Sequence, residues 1–125
     1  MKNTVGSTAC TCGCGENRYN PEIVALVEHY RDLFWPERMI HIHRVASCVK
    51  HNKAIHGAAL SRHVPAVQPN QLADAEDFDI SGIDCHEVRA TLDPVHTGGM
   101  ELNTDGWVHL DLRPPVNGVP VRFSK

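Results

Sequence analysis

The sequence has no excess of basic charge and no long apolar run, and each lack removes a class of protein. Twelve Lys and Arg against 15 Asp and Glu leave a formal net charge of −3. That is the wrong sign for the footprint of a nucleic-acid binder. Nowhere does the chain approach the roughly 18 consecutive apolar residues of a membrane-spanning helix, so no membrane partner is expected. The opening residues, Met1-Lys2-Asn3-Thr4-Val5-Gly6-Ser7-Thr8, carry a lysine with no apolar stretch behind it. A standard secretory signal is therefore not read there, and the chain is expected to be made in the cytoplasm and to stay or leave by another route. Internal repeats, low-complexity tracts and long linkers are also missing. The 125 residues suit one domain, 1–125, with a single modest core. Apolar residues at 42% and charged residues at 22% are those of an ordinary globular protein.

What the sequence does have is histidine, nine in all, and five cysteines. An odd number cannot pair completely, and a reducing compartment favours free thiols or metal ligation. Cys10, Cys12 and Cys14 alternate with Thr11 and Gly13, while Cys48 and Cys85 stand apart. C-x-C-x-C is not the usual zinc-finger spacing. It reads either as a glycine-rich turn with incidental thiols or as a small structural zinc site completed by Cys48 or a histidine.

Residues 1–19 are rich in Gly, Thr and Cys and read as a loop. Asn20-Pro21-Glu22 is a helix start, with an N-cap, a proline at the first position and an acid in the first turn. Ile23, Leu26, Val27, Tyr30, Leu33 and Phe34 follow at helical spacing, and Pro36 ends the run. Residues 39–45 alternate as a strand, with Ile40 and Ile42 on one face and His41 and His43 on the other. A short helix is expected over 48–56, a loop over 57–73, a strand over 77–80 and a helix over 85–92. Gly98-Gly99 reads as a turn before a strand near 100–103, and 119–123 as a last edge strand.

The strand Trp107-Val108-His109-Leu110-Asp111-Leu112-Arg113 is the most informative. Period-two alternation puts Val108, Leu110 and Leu112 on one face, with Trp107, His109, Asp111 and Arg113 on the other. The first face wants a core and the second suits a site. With His63 and an acid near position 77, His109 offers the His, Asp, His set that a catalytic zinc needs beside an open position for water.

Six segments occur in one order: Cys12-Gly13-Cys14-Gly15, Asn20-Pro21-Glu22, Cys48-Val49-Lys50-His51-Asn52-Lys53-Ala54, Gly57-Ala58, Ser61-Arg62-His63 and the strand from Trp107 to Arg113. Together they resemble the zinc D-Ala-D-Ala carboxypeptidase family, in particular its compact branch of phage and prophage endolysins, which includes L-alanyl-D-glutamate peptidases. The resemblance covers nearly the whole chain. It implies an α+β fold, with helices packed on one side of a small antiparallel sheet and a zinc groove on the other. It implies one catalytic Zn2+ held by His63, Asp77 and His109, and hydrolysis of a D-Ala-D-Ala or L-Ala-D-Glu bond in peptidoglycan stem peptides. A monomer is expected, waiting in the cytoplasm and acting on the wall after release.

Three departures from the family pattern bear on these expectations. The compact H-x6-D spacing is expanded here, so Asp74 and Asp79 stand as alternatives to Asp77, and the family glycine falls at Ala73. The S-G-Y-R-C segment reads Arg44-Val45-Ala46-Ser47-Cys48, which puts Ser47 in the arginine slot and leaves Arg44, or Arg62, to grip a substrate carboxylate. The acid that some relatives carry three residues before the last histidine is Gly106. The general base then falls to Asp111 first and Asp105 second, with Asp111 equally able to orient His109 or pair with Arg113. His51 reads as structural, and His96 as a solvated loop residue or an oxyanion donor. His29, His56 and His86 read as helix-face residues. The lost arginine and longer loop also motivate an alternative, a degenerate, non-catalytic zinc-binding or phage structural module of the same fold.

Overall fold

The computed structural model describes residues 3–124; Met1, Lys2 and Lys125, and with them the first two positions of the expected N-terminal loop, lie outside the described residues. Asn20 accepts a hydrogen bond from the Glu22 amide at 3.0 Å and Pro21 opens helix α1, Pro21–Phe34. Such a cap contributes about 1 kcal/mol. Ile23, Val24, Val27 and Tyr30 form the buried stripe of α1, and Pro36 follows its C-cap, Trp35. Two shorter helices follow, α2 over Val49–Ala54 and α3 over Cys85–Leu92.

The strands are β1 (Thr4–Val5), β2 (Ile40–Arg44), β3 (Ala75–Ile80), β4 (Met100–Glu101), β5 (Val108–Asp111) and β6 (Arg122–Phe123). Among the described residues they form one sheet in the order β1-β2-β3-β5-β4-β6. The centre is antiparallel, while β1 runs parallel to β2 and β6 parallel to β4. The sheet is therefore mixed at its edges. The N-terminal segment, read as loop throughout, instead contributes β1, because Thr4 and Val5 lie along the open edge of β2 opposite Ile40 and His41.

Register decides which side chains meet, since residues opposite one another in an antiparallel pair point to the same face. Phe78 lies opposite both Ile42 and Val108, and Glu76 opposite Leu110. This face, with Ile40, Ile80 and Met100, packs against α1 and against Val88 and Leu92 of α3. Helices α1 and α3 thus sit on one side, as expected, and the other side is left for a site. Glu76 is the exception on the core face: burial pushes its carboxyl well above the usual carboxylate range, and its Oε1 has no hydrogen-bond partner.

Two local irregularities shape the open face. A β-bulge in β2 brings Arg44 opposite Asp77, one β3 residue along from the Ile42–Phe78 pair, so two β2 steps span one β3 step. The bulge re-aims Arg44 from the core side to the site side. The expanded segment after His63 holds a 3-10 turn, Pro65–Val67, and its end is tied back by Asp74 N to Arg62 O at 3.1 Å and Ala73 N to Arg18 O at 3.1 Å. The longer loop therefore returns Asp77 to His63. Ala73, in the family's glycine slot, is fully buried without a positive φ.

Candidate metal centre

Three side chains from three parts of the chain converge on the open face. Asp77 of β3 lies directly opposite His109 of β5, and His63 comes from the loop before β3. Asp77 Oδ1 is 2.8 Å from His109 Nδ1 and 3.1 Å from His63 Nε2, and the two imidazole nitrogens are 3.3 Å apart. Zinc bonds of 2.0–2.1 Å to nitrogen and oxygen imply a tetrahedral edge of about 3.3 Å. The donor set and its spacing therefore fit one zinc ion.

The far side of each imidazole is fixed. His63 Nδ1 donates to the Val45 carbonyl at 2.8 Å, which leaves its Nε2 lone pair aimed at the cluster. His109 Nε2 donates to Asp111 Oδ2 at 2.9 Å, which turns its Nδ1 inward. These are the outer contacts that orient metal-ligating histidines. Burial alone would lower the His109 pKa, but its hydrogen bonds to Asp111 and Asp77 outweigh burial and raise it to about 9. Burial pulls Asp77 the other way, yet the charge of His63 and the hydrogen bond from His109 hold its carboxyl well below the usual range.

The alternatives to Asp77 are engaged elsewhere. Asp74 holds the Arg62 guanidinium, with Nε at 2.7 Å. Asp79 accepts from His41 Nδ1 at 2.8 Å and from His43 Nε2 at 2.5 Å. Asp111 is fully buried behind His109, where Oδ1 takes the Gly99 amide at 3.1 Å and Arg113 Nε at 2.9 Å. Asp105 is exposed and does not line the groove.

The groove over these residues has a volume of about 760 Å³. Its acids, among the described residues, are Asp77 and Glu101. Sequence reasoning passed over Glu101. Met100 lies opposite Leu110, so one step along the same antiparallel register sets Glu101 beside His109 on the site face. Alternation within 100–103 was the signal, since an apolar Met100 turned inward leaves Glu101 facing out. Phe123, paired with Glu101, packs edge-on against the His109 ring at 5.6 Å.

Arg44, Arg62 and Arg113 also line the groove. Arg62 and Arg113 are ion-paired to Asp74 and Asp111. Arg44 is held instead by neutral groups, Nε to Ser47 Oγ at 2.7 Å and Nη2 to Asn52 Oδ1 at 2.8 Å. Ser47, standing in the family's arginine slot, therefore fixes an arginine supplied three residues earlier. His51 lines one end of the groove beside Thr11, at 3.2 Å. His96 is neither solvated nor near the groove. It is buried, with Nδ1 against Tyr30 OH at 2.9 Å and Nε2 against the Gly99 and Asp111 carbonyls at 3.1 Å each.

A mixed sheet with helices on one face, and with two histidines and an aspartate converging in a groove on the other, presents a donor set that could hold a metal ion. The chain belongs to the Peptidase M15 family, whose sequence model matches residues 3–111. That family is zinc-dependent, and the matched stretch contains all three converging residues. No curated protein and no solved structure matches the chain significantly.

Proposed function

We propose that this protein is a zinc peptidase that cleaves a peptide bond in peptidoglycan stem peptides, of the D-Ala-D-Ala or L-Ala-D-Glu kind, in the manner of a phage or prophage endolysin. The observation that carries the reading is the convergence of His63 Nε2, Asp77 Oδ1 and His109 Nδ1 within 3.3 Å in an open groove of a Peptidase M15 chain. Zinc bound there would lower the pKa of a water and polarise the scissile carbonyl.

The chain's own groups divide the remaining work. Glu101 accepts the proton of the attacking water and returns it to the leaving amine, a role that suits the groove acid left over once Asp77 binds metal. Asp111 orients His109 instead of taking that proton, because its carboxylate is buried and already saturated by His109, Arg113 and Gly99. Arg44 grips a substrate carboxylate, since its hydrogen bonds go to the neutral Ser47 and Asn52, whereas Arg62 and Arg113 are each ion-paired to an aspartate. Trp107 and Phe123 supply apolar wall for the peptide chain. The two departures that favour a non-catalytic module are both accommodated: the longer loop returns Asp77 to His63, and Ser47 anchors Arg44.

The test is zinc content and wall-peptide release measured on one preparation. Release abolished by a chelator and restored by zinc is expected, and His63→Ala and His109→Ala should each lose groove zinc and release together. Zinc bound at the groove with no cleavage of stem peptides would overturn the peptidase reading in favour of the binding module. Full zinc and activity in either variant would sink the ligand assignment.

A further inference from the structure

The strongest feature outside the groove is a cluster of thiols at its far end. Cys10, Cys12 and Cys14 from the N-terminal segment and Cys48 at the start of α2 bring four sulfurs within 4.8 Å of one another. Cys10 and Cys12 are 3.4 Å apart, Cys12 and Cys48 3.6 Å, and Cys10 and Cys48 3.8 Å. None is bonded to another. A tetrahedral ion with zinc–sulfur bonds of about 2.3 Å sets its sulfurs about 3.8 Å apart. The observed spacing is thus that of a single-ion site, far longer than a disulfide bond of about 2.05 Å.

The backbone around the thiols is built to match. Gly13 at φ +84° and Gly15 at φ +87° take the left-handed conformation, which an L side chain rarely adopts. These turns fold the C-x-C-x-C segment back, so that alternate cysteines, which in an extended strand would stand about 6–7 Å apart, face one point. Backbone amides are aimed at the sulfurs: Cys48 N at Cys10 Sγ (3.5 Å), Glu16 N at Cys14 Sγ (3.5 Å) and His51 N at Cys48 Sγ (3.3 Å). Such donors favour the thiolate form that a metal requires.

We propose that Cys10, Cys12, Cys14 and Cys48 form a second, structural zinc site that clamps the N-terminal segment to the wall of the groove. A closed four-thiolate shell suits a structural role, because no position is left for water or substrate. The site sits where such a clamp matters. Cys48 follows Ser47, whose hydroxyl fixes Arg44 and whose amide donates to the His63 carbonyl at 2.7 Å. Thr11, between two of the thiols, contacts His51 in the groove wall. Ala46 N donates to Thr8 O at 2.9 Å, so the same segment is stitched along its length. Without the ion the thiols take up protons and no longer share a partner, and the segment carrying Thr11 loses this tie to α2.

The test uses the full chain carrying His63→Ala and His109→Ala together, purified under reducing conditions with zinc present. One equivalent of zinc should remain, and X-ray absorption should show an all-sulfur shell at about 2.3 Å. Adding Cys12→Ser should then release most of that zinc and lower the thermal midpoint. Loss of all zinc from the double histidine variant, or a shell of nitrogen and oxygen alone, overturns the proposal, as does iron in place of zinc. If that variant does not fold, the zinc spectrum of the wild type decides the matter through the presence or absence of a sulfur shell. The readout is independent of catalysis, so an inactive groove and an empty thiol site remain distinguishable.

Discussion

His109 Nε2 lies 2.9 Å from Asp111 Oδ2, and Arg113 Nη2 holds the same oxygen at 2.7 Å. Asp111 thereby sets both the tautomer and the tilt of the ring whose other nitrogen faces His63 and Asp77. Its carboxyl stays well below the usual range although burial opposes ionisation, because His109 and Arg113 both bond to it. Asp111→Asn keeps the size but offers an amide group where one carboxylate oxygen, Oδ2, accepted from both His109 and Arg113. Zinc affinity at the groove should fall about 10- to 100-fold, as for other partners of metal-bound histidines. Competition titration against a zinc chelator reads this directly, and Asp105→Asn serves as the control that should leave affinity unchanged. Unaltered affinity in Asp111→Asn would remove the positioning role.

Glu101 tests a different step. If it carries the water's proton, Glu101→Gln should leave zinc stoichiometry intact and lower kcat by about 10²- to 10⁴-fold, with a much smaller change in KM. A parallel loss of zinc would make Glu101 a structural support of the site. Unchanged kcat would return the search for a base to the remaining acids.

Much of this arrangement is legible in the sequence because it rests on local pattern. Asn20-Pro21 announces α1, and the alternation through 107–113 by itself separates Leu110 from His109 and Asp111. His63 follows from the order of the motifs, while the longer loop leaves Asp77 as the first of three candidate acids, with Asp74 and Asp79 open until their partners are seen. What stays hidden depends on partners far away in the chain. Arg44 shares parity with Ile40 and Ile42, so strict alternation would send it into the core; only the bulge against β3 turns it to the groove. Glu101 sits in a two-residue strand whose facing is set by β5 and β6. Thr4 and Val5 form a strand only because β2 offers them an edge. The solvated reading of His96 fails because Tyr30, 66 residues earlier in the chain, closes over it.

Gly98-Gly99 reads from sequence as a turn, but the structure gives Gly98 a second requirement. A Cβ at Gly98 would lie 2.0 Å from the Asp111 carbonyl oxygen and 2.9 Å from His96 Nε2. Backbone cannot yield as a flexible side chain can, so β5 itself would have to move. Gly98→Ala should cost about 1–3 kcal/mol, read as a lower urea midpoint. Because Asp111 moves with its carbonyl, groove zinc should also bind more weakly. A midpoint equal to that of the wild type would show that the close approach relaxes without strain.

His96 gives the fold a defined response to acid. Its Nε2–H donates to backbone carbonyls and its Nδ1 accepts from Tyr30 OH, so the neutral ring satisfies every partner. Burial, aided by the nearby Arg122 charge, lowers its pKa below the ordinary 6.5. The unfolded chain therefore takes up a proton near pH 6.5 that the folded chain resists. The contribution to stability is complete above that value and is lost progressively as pH falls toward the folded pKa. The ring resonances of His96 should titrate in the folded protein with a midpoint below about 6.5. The urea midpoint should also fall between pH ~7 and pH ~5 more steeply in the wild type than in His96→Asn, which has no ring to charge. Equal slopes, with a His96 midpoint at or above the ordinary value, would show that the ring accepts its second proton inside the fold at no cost.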